Sequence, residues 1–449
     1  MSYLDIATAL ATNSLTLFVG TGLSKHLTDG AAPNWLELMI QLAQKLDDSK
    51  VMEDLFDTDE SGKYISCKME LTICAQILEL EFSNKGLNIR EEIKKILDAT
   101  INSDTINEEK VEKLSLFLNT HPTINIVTTN YDNILSEYVL KDNRRVIIDG
   151  RTLAKENSGI NIYHIHGSIL KPQSIVLTMN DYFKFQYSEN YLSRKLYTLL
   201  QETTVVVLGY SLGDFNLNTI LNEVHNSKAS AYKNTDIYYI NQHKVDKMFK
   251  RYYLHAFGID VIERCSVTNF IQRVTNKFSS AKTNIVDKAP SLKKIISGEL
   301  DYVDDAVKTK GFLHRLILRA SILGIETDDE DFQMYLLKVL KRKKKFCTIT
   351  GAWDQYPHLA EWIIYLGSVI NFNELHLKDE LENIIYYSLL NMGKDFFGYS
   401  WESYEIWMTT WNNLKYENKQ FILNLINNRD YTSKSGVHDL EERYALQNA

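Results

Sequence analysis

Three short stretches of this chain each run from β-branched, apolar residues into small or polar ones. They are LTLFVGTGLSKH at Leu15–His26, NIVTTNYDN at Asn125–Asn133 and NIYHIHGS at Asn161–Ser168. Such a change is typical of a buried parallel strand that passes into the loop at its C-terminal end. In open α/β sheets nucleotides bind at that edge. The three stretches therefore predict a parallel sheet with a ligand site at one edge.

Strand-like runs alternate with helical patterns along the first 280 or so residues. The predicted strands are Thr16–Val19, Asn125–Thr128, Val146–Ile148, Ile162–Ile165, Ile175–Leu177, Thr204–Leu208, Ile237–Ile240 and Ile259–Ile262. This order predicts an α/β fold with a doubly wound, Rossmann-like parallel sheet. Residues 36–120 contain almost no strand signal, so we expect a helical insertion there that folds against the sheet and covers a pocket.

A polar stretch that ends at Pro290 separates this region from a segment with only helical patterns. We therefore predict an N-terminal domain over residues 1–285 and an all-α domain over residues 286–449. The basic run Lys341–Lys345 in the second domain is interpreted as a solvated helix end, where cations suit the helix dipole.

Composition excludes several classes of protein. Among 449 residues, 50 Lys and Arg stand against 58 Asp and Glu, and a net charge of -8 argues against direct nucleic-acid binding. Four cysteines without a CxxC pair indicate a reducing compartment. No apolar run is long enough to span a bilayer, and no secretion signal is evident at the N-terminus. We expect a cytoplasmic protein with no membrane partner.

The glycine-rich loop after the first strand is a candidate phosphate site. Gly20 and Gly22 would let the backbone approach a phosphate, while the amide of Thr21 and the hydroxyl of Ser24 would donate to its oxygens. The loop is not a Walker motif and lacks the third glycine of the dinucleotide fingerprint. Taken alone, it fits a plain strand-to-helix turn equally well.

The loop after the second stretch carries an amide and a carboxylate. Asn130 offers a donor and an acceptor without charge, which suits a ribose hydroxyl or a water molecule, and Asp132 lies two positions later. Either residue could instead cap the helix predicted at Ile134–Leu140.

Two histidines occur at alternate positions in the third stretch. His164 and His166 would share one face of an extended strand, as two metal ligands do, but no third ligand is evident. We interpret His166 as a general base at the strand end before Gly167. His164 is predicted to be a hydrogen-bonded packing residue, and no metal is expected.

Together these motifs resemble the sirtuin superfamily. GTGLS stands at the family's glycine loop, TTNYD at its asparagine–aspartate motif and IHGS at its catalytic histidine. Two further motifs match in order: LGYSL at Leu208–Leu212 is similar to the later glycine loop, and Ile240–Asn241 to the pair that holds the adenosine ribose. The resemblance is greatest to the sirtuin-like domains of bacterial anti-phage defence proteins, on Pro33-x-Trp35, TTNYD and the pairs Leu177–Thr178 and Asp181–Tyr182.

This resemblance implies NAD as substrate and a role as an NAD glycohydrolase that depletes NAD in abortive infection. It assigns catalysis to Asn130, His166 and Asp132, and NAD binding to the following residues: Gly20, Thr21, Gly22, Ser24, Gly209, Ser211 and Asn241. The zinc module of the protein deacylases is absent, because residues 167–209 contain no cysteine. A protein deacylase and a non-catalytic NAD or ADP-ribose sensor remain as alternatives.

An unregulated NAD hydrolase would kill its host, so we expect control by assembly or by a partner. The resemblance implies a homo-oligomer, a separately encoded hexameric ATPase or a phage-derived trigger. The chain itself contains no Walker motif.

Overall fold

A computed structural model describes residues 2–149, 159–187, 191–211, 215–227, 237–375, 378–394, 398–429 and 435–445 of the chain. These residues form two compact units, one from Ser2 to Ala281 and one that begins at Lys282. The domain boundary predicted between residues 285 and 286 lies within a π-helix at Lys282–Val286.

The first unit is built on a parallel sheet. The described strands of this unit are β1 (Leu15–Val19), β2 (Phe56–Thr58), β3 (Tyr64–Cys67), β4 (Asn125–Thr128), β5 (Arg144–Ile147), β6 (Ile160–His164), β7 (Thr204–Leu208), β8 (Ile237–Ile240) and β9 (Ile259–Ile262). Seven of them pair in the order β5-β6-β4-β1-β7-β8-β9, and each of these neighbouring pairs is parallel. The chain leaves β1 toward β4 on one side and later returns to β7 on the other. The order in which strands are added to the sheet therefore reverses beside β1, and ligands bind at this switch point in such folds.

Helices cover both faces of the sheet. The described helices of the first unit are α1 (Ser2–Ala11), α2 (Thr21–Leu27), α3 (Trp35–Lys45), α4 (Ser49–Leu55), α5 (Leu71–Asn84), α6 (Ile89–Thr100), α7 (Glu108–Thr120), α8 (Met179–Tyr187), α9 (Tyr191–Glu202), α10 (Phe215–Ser227), α11 (Lys247–Phe257) and α12 (Val267–Ala281). Apolar residues of α1, α2, α7 and α12 form one core with the sheet. Residues of α9, α10 and α11 form a second core on the opposite face. The doubly wound α/β prediction is confirmed.

The insertion between β1 and β4 has a core of its own, formed by α3 to α6 with apolar residues near Ile175. One detail differs from the prediction: the insertion contains an antiparallel hairpin of β2 and β3, whose turn is built by Asp59 accepting hydrogen bonds from the amides of Ser61 and Lys63. The last helix of the predicted insertion, α7, packs against the sheet, as expected.

The strand predicted at Ile175–Leu177 is wrong. The backbone amides of Ile175 and Leu177 bond to Pro172 O and to the Asp181 carboxylate, so a turn and a helix cap use the groups that a strand ladder would need. The apolar side chains of the segment pack into the core of the insertion.

The described part of the second unit is helical. Its helices are α13 (Ser291–Ile296), α14 (Asp304–Lys308), α15 (Phe312–Ile322), α16 (Glu330–Cys347), α17 (Gln355–Val369), α18 (Lys378–Leu390), α19 (Tyr399–Thr410), α20 (Tyr416–Asn427) and α21 (Ser435–Ala445). Short 3-10 helices lie at Phe372–Glu374 and Trp411–Asn413.

The basic run Lys341–Lys345 lies at the C-terminal end of α16, as predicted, but it is not fully solvated. Lys343 is completely buried, and its ammonium donates to Gln355 Oε1 at 2.6 Å and to Lys308 O at 3.0 Å. Burial lowers the pKa of Lys343 to about 8.

Candidate functional site

The loops that follow β1 and β7 lie against each other at the C-terminal edge of the sheet. Gly22 N donates to Gly209 O at 2.7 Å, and Gly20 N donates to Leu208 O at 3.0 Å. A Cβ atom on Gly22 would lie 2.7 Å from Gly209 Cα, and one on Gly209 would lie 2.3 Å from Leu23 N. Gly209 also has a φ of +63°. These glycines are therefore needed first for the close approach of two backbones.

The hydroxyl of Ser24 joins the first loop to the loop after β4. Ser24 Oγ donates to Asp132 Oδ2 at 2.7 Å and accepts a hydrogen bond from Asn130 Nδ2 at 2.9 Å. All three side chains are buried. The motif predicts that Ser24 donates to a phosphate, whereas in the structure its hydrogen is directed to Asp132. It acts as a positioning residue for the other two.

This network determines which way the Asn130 amide points. Because Nδ2 bonds to Ser24, the acceptor Oδ1 is left, and it is buried without a hydrogen-bond partner among the described residues. A buried acceptor without a partner is costly unless a ligand or water satisfies it. Asn130 therefore presents an acceptor, rather than both of the groups predicted.

Asp132 combines two roles. Its Oδ1 accepts a hydrogen bond from Ile134 N at 3.1 Å, which fixes the turn just before a π-helix at Leu135–Val139, and its Oδ2 accepts the hydrogen bond from Ser24. Burial raises the pKa of the Asp132 carboxyl, and the hydrogen bonds from Ser24 and Ile134 act in the opposite direction.

The two histidines near the end of β6 have different surroundings. His164 is buried, and its Nδ1 donates to Asn130 O at 3.1 Å. Burial lowers the pKa of His164 to about 4, which keeps the ring neutral. The prediction of a hydrogen-bonded packing residue is confirmed. His166 instead lines a cavity, with its ring 5.4 Å from that of Tyr182.

The insertion begins with a segment that is held against the glycine loop. Asn34 Oδ1 accepts a hydrogen bond from Glu37 N at 2.8 Å, and the Glu37 carboxylate accepts one from Asn34 N at 2.7 Å. This capping box starts α3 at Trp35. Lys25 of α2 forms an ion pair with Glu37 at 2.7 Å. The Pro33-x-Trp35 motif is thereby placed beside the loop after β1.

A second capping box explains the Leu177–Thr178 and Asp181–Tyr182 pairs. Asp181 Oδ2 accepts a hydrogen bond from Thr178 N at 3.1 Å, and Thr178 Oγ1 accepts one from Asp181 N at 3.3 Å. Arg90 of α6 also pairs with Asp181 at 2.5 Å. These contacts tie α8 to the insertion, and Tyr182 then stacks on Trp35, with ring centroids 6.0 Å apart and planes at 9°.

A cavity of about 720 Å³ lies between the sheet edge and the insertion. Of the predicted site residues, the structure brings Thr21, Asn130, Asp132, His166 and Ser211 to its wall. Gly20, Gly22, Ser24 and Gly209 do not line the cavity, but each is hydrogen-bonded within or between the loops that do. Further lining residues come from the insertion and from α8, and these are Pro33, Trp35, Leu38, Glu70, Leu71, Thr72, Leu97, Met179, Tyr182 and Phe183.

Sequence motifs did not identify the residues of the insertion wall other than Pro33 and Trp35. Glu70, Leu71 and Thr72 form no recognisable pattern, and only the expectation that the insertion covers a pocket pointed to them.

Asn241 lies at the end of β8 and is not among the residues that line the cavity. Its Nδ2 donates to Tyr239 Oη at 3.1 Å, and its Oδ1 accepts from His243 N at 2.8 Å. Leu212, the last residue of the second glycine motif, lies outside the described residues.

Within the part of the chain that the structure describes, no group of three or more His, Cys, Asp or Glu side chains is arranged to hold a metal ion. None of its helices is long and apolar enough to cross a membrane.

Two known groups of proteins are similar to this chain. Residues 124–262, which run from β4 to β9, match the SIR2-like domain family. The chain is also similar to Defense-associated sirtuin 2 of Bacillus subtilis, with 24% identity over 233 residues. That alignment covers 51% of this chain but only 21% of the relative. The chain is therefore similar to SIR2-like domains over residues 124–262 and to a defence-associated sirtuin over about half of its own length.

Proposed function

We propose that this protein is an NAD glycohydrolase that cleaves NAD to nicotinamide and ADP-ribose. The observation that carries the proposal is the unpartnered Oδ1 of Asn130, in the same cavity wall as His166. A ribose hydroxyl can donate to Oδ1, which would hold the sugar at a defined place relative to the imidazole.

The bond to be broken makes modest demands on the protein. The N-glycosidic nitrogen of the nicotinamide ring is already cationic, so the leaving group needs no general acid, and the transition state resembles an oxocarbenium ion. In the proposed reaction the C1′–N bond breaks and its electron pair leaves with nicotinamide. Water forms the new C1′–O bond and gives a proton to His166. No step requires a metal.

Residues around the reacting groups would orient the rest of NAD. Thr21, at the start of α2, and Ser211, in the loop after β7, both line the cavity at the switch point of the sheet. We assign the pyrophosphate to this end. Gly20, Gly22 and Gly209 shape these two loops, and Ser24 and Asp132 hold Asn130 in place. Asn241, at the end of β8 outside the cavity, is assigned to an adenosine ribose that extends past the cavity.

The experiment incubates the purified chain with NAD alone and with NAD plus an acetyl-lysine peptide. Nicotinamide release without peptide supports the glycohydrolase. Release that depends on peptide would select a deacylase. Binding of ADP-ribose by calorimetry without any release would select a sensor, and this alternative is weakened by the presence of both Asn130 and His166 in the cavity.

We further propose that the activity serves anti-phage defence by depleting NAD, on the basis of the similarity to Defense-associated sirtuin 2. Control by self-assembly, by a separate hexameric ATPase or by a phage component then prevents damage to the uninfected cell. Light scattering of the purified chain tests the homo-oligomer, and cytoplasmic localisation is tested by fractionation.

A further inference from the structure

The insertion wall of the cavity contains two polar atoms that the protein leaves unsatisfied. Trp35 Nε1 and Thr72 Oγ1 are both buried, and neither has a hydrogen-bond partner among the described residues. Both residues line the same cavity as Asn130 and His166. An indole N–H can only donate, whereas a hydroxyl can donate and accept. A ligand that satisfies both atoms needs an acceptor for Trp35 and either kind of group for Thr72.

Aromatic rings connect this wall to the proposed general base. The Trp35 ring is stacked on Tyr182, and the Tyr182 ring lies 5.4 Å from that of His166. Phe183 and Met179 also line the cavity near Tyr182. Aromatic and thioether side chains favour contact with a flat, apolar ring. A planar heterocycle next to the reacting carbon suits this environment.

The charges of the wall argue against an anionic ligand group at the insertion end. Glu70 is the carboxylate that the insertion contributes to the described lining, and no described Lys or Arg lines either end of the cavity. A pyrophosphate placed at the insertion end would be repelled by Glu70. A pyridinium ring, by contrast, carries a positive charge that a nearby carboxylate stabilises.

We propose that the insertion wall is the subsite for the leaving group, and that it recognises a pyridinium carboxamide. Trp35 Nε1–H donates to the carboxamide oxygen, and Thr72 Oγ1 accepts from the carboxamide N–H. This inference rests on the proposed NAD hydrolysis and adds the residues that select the leaving group. It also gives the helical insertion a function beyond covering the pocket.

The test compares NAD with 3-acetylpyridine adenine dinucleotide, which keeps the carbonyl oxygen but has a methyl group in place of the amide nitrogen. In the wild type, kcat/KM is measured for both substrates. The substrate ratio, which is kcat/KM for NAD divided by kcat/KM for the analogue, reports recognition of the amide N–H. Thr72→Val removes the acceptor with little change of shape. We expect it to lower kcat/KM for NAD by roughly 3- to 10-fold and to leave the analogue nearly unaffected, so that the ratio falls.

Trp35→Phe is expected to act differently. It keeps a ring on Tyr182 but removes the N–H that both substrates use, so kcat/KM should fall by a similar factor for both and the ratio should stay constant. Thr72→Ser restores the hydroxyl and should recover the ratio lost in Thr72→Val. Ile73→Val alters the exposed neighbour of Thr72 outside the cavity wall and serves as the control for unspecific effects.

Failure of the subsite and failure of the proposed function give different results. If the wild type releases nicotinamide from NAD but Thr72→Val leaves the substrate ratio unchanged, the subsite is wrong and the hydrolase stands. If the wild type releases none, the hydrolase is wrong, and the subsite is tested by calorimetry with nicotinamide. Binding that weakens in both Thr72→Val and Trp35→Phe supports the subsite, and absent or unchanged binding overturns it.

Discussion

The hydroxyl of Ser24 donates a 2.7 Å hydrogen bond to Oδ2 of Asp132, a residue 108 positions later in the chain. The same oxygen accepts from Asn130 Nδ2. One serine thereby connects the loop after β1 with the loop after β4 and keeps the Asn130 acceptor in a single orientation. The arrangement makes the geometry of the site depend on a residue that does not line the cavity.

Ser24→Ala is predicted to destabilise the fold. It leaves Asp132 Oδ2 and Asn130 Nδ2 buried without this partner, and an unsatisfied buried polar group costs about 1 to 3 kcal/mol. The free energy of unfolding, from urea denaturation, measures the loss. Ser211→Ala is the matched control, because Ser211 is exposed, and it should leave the free energy of unfolding unchanged. Equal stability of the two variants would refute the role given to Ser24.

Asn130→Asp tests the proposed acceptor and its orientation together. The new carboxylate cannot donate to Ser24, and it adds a second acid beside the buried Asp132, so that both compete for one hydroxyl. We expect nicotinamide release to fall at least about 10²-fold, the usual scale for a positioned catalytic group, and Asn130→Ala to show a similar loss. A near-normal rate for Asn130→Asp would exclude the hydrogen-bonding role.

His166→Ala is predicted to abolish nicotinamide release without unfolding the protein. The imidazole lines the cavity rather than the core, so its removal enlarges the cavity and leaves the sheet intact. Circular dichroism and the melting temperature monitor the fold. His255→Ala, which removes an exposed histidine of α11, should retain full activity. Turnover by His166→Ala at the wild-type rate would remove this residue from the mechanism.

The neutral His164 predicts that stability falls in acid. The pKa of His164 is lowered from 6.5 to about 4 in the folded protein, so below pH 6.5 the unfolded chain binds a proton that the folded protein does not. The free energy of unfolding is therefore unaffected by the titration of this group at pH 7, and it decreases by about 3 kcal/mol in all as the pH falls toward 4.

His164→Asn keeps an N–H donor for Asn130 O but does not titrate. We expect its unfolding free energy to change less than that of the wild type between pH 7 and pH 5. The same slope in both proteins would show that other groups cause the acid sensitivity.

The elements best predicted from sequence are those with a strong local pattern. Strands β4, β7, β8 and β9 have the predicted bounds, because each is an apolar, mostly β-branched or aromatic run bounded by polar residues. Ile175–Leu177 has a similar composition but no neighbouring strand completes a ladder with it. Its failure shows that β propensity depends on a pairing that only the tertiary structure supplies.

The sequence predicts the site residues that lie in loops after strands, but it does not predict those that the insertion contributes to the cavity wall. Asn130, Asp132 and His166 lie in motifs, and the parallel sheet brings their loops to one edge. Thr72 lies at the start of an ordinary helix, and its place in the cavity follows from the packing of α5 against α3 and α8. The hydrogen bond from Ser24 to Asp132 likewise required the structure, since a serine after a glycine loop fits phosphate binding equally well.

Gly209→Ala is predicted to be far more harmful than Gly30→Ala. Both glycines have a positive φ, +63° and +96°, so both substitutions incur the strain of an L-residue in that region, about 1 kcal/mol or more. Only at Gly209 would the new methyl group also clash, at 2.3 Å from Leu23 N, whereas nothing lies within 4 Å at Gly30. The clash is with backbone, which cannot rotate away, so we expect Gly209→Ala to lose about 2 kcal/mol more than Gly30→Ala in urea denaturation. Similar losses for both variants would mean that the two loops are not in close contact, and the glycines would then be free to approach a phosphate as the motif alone suggested.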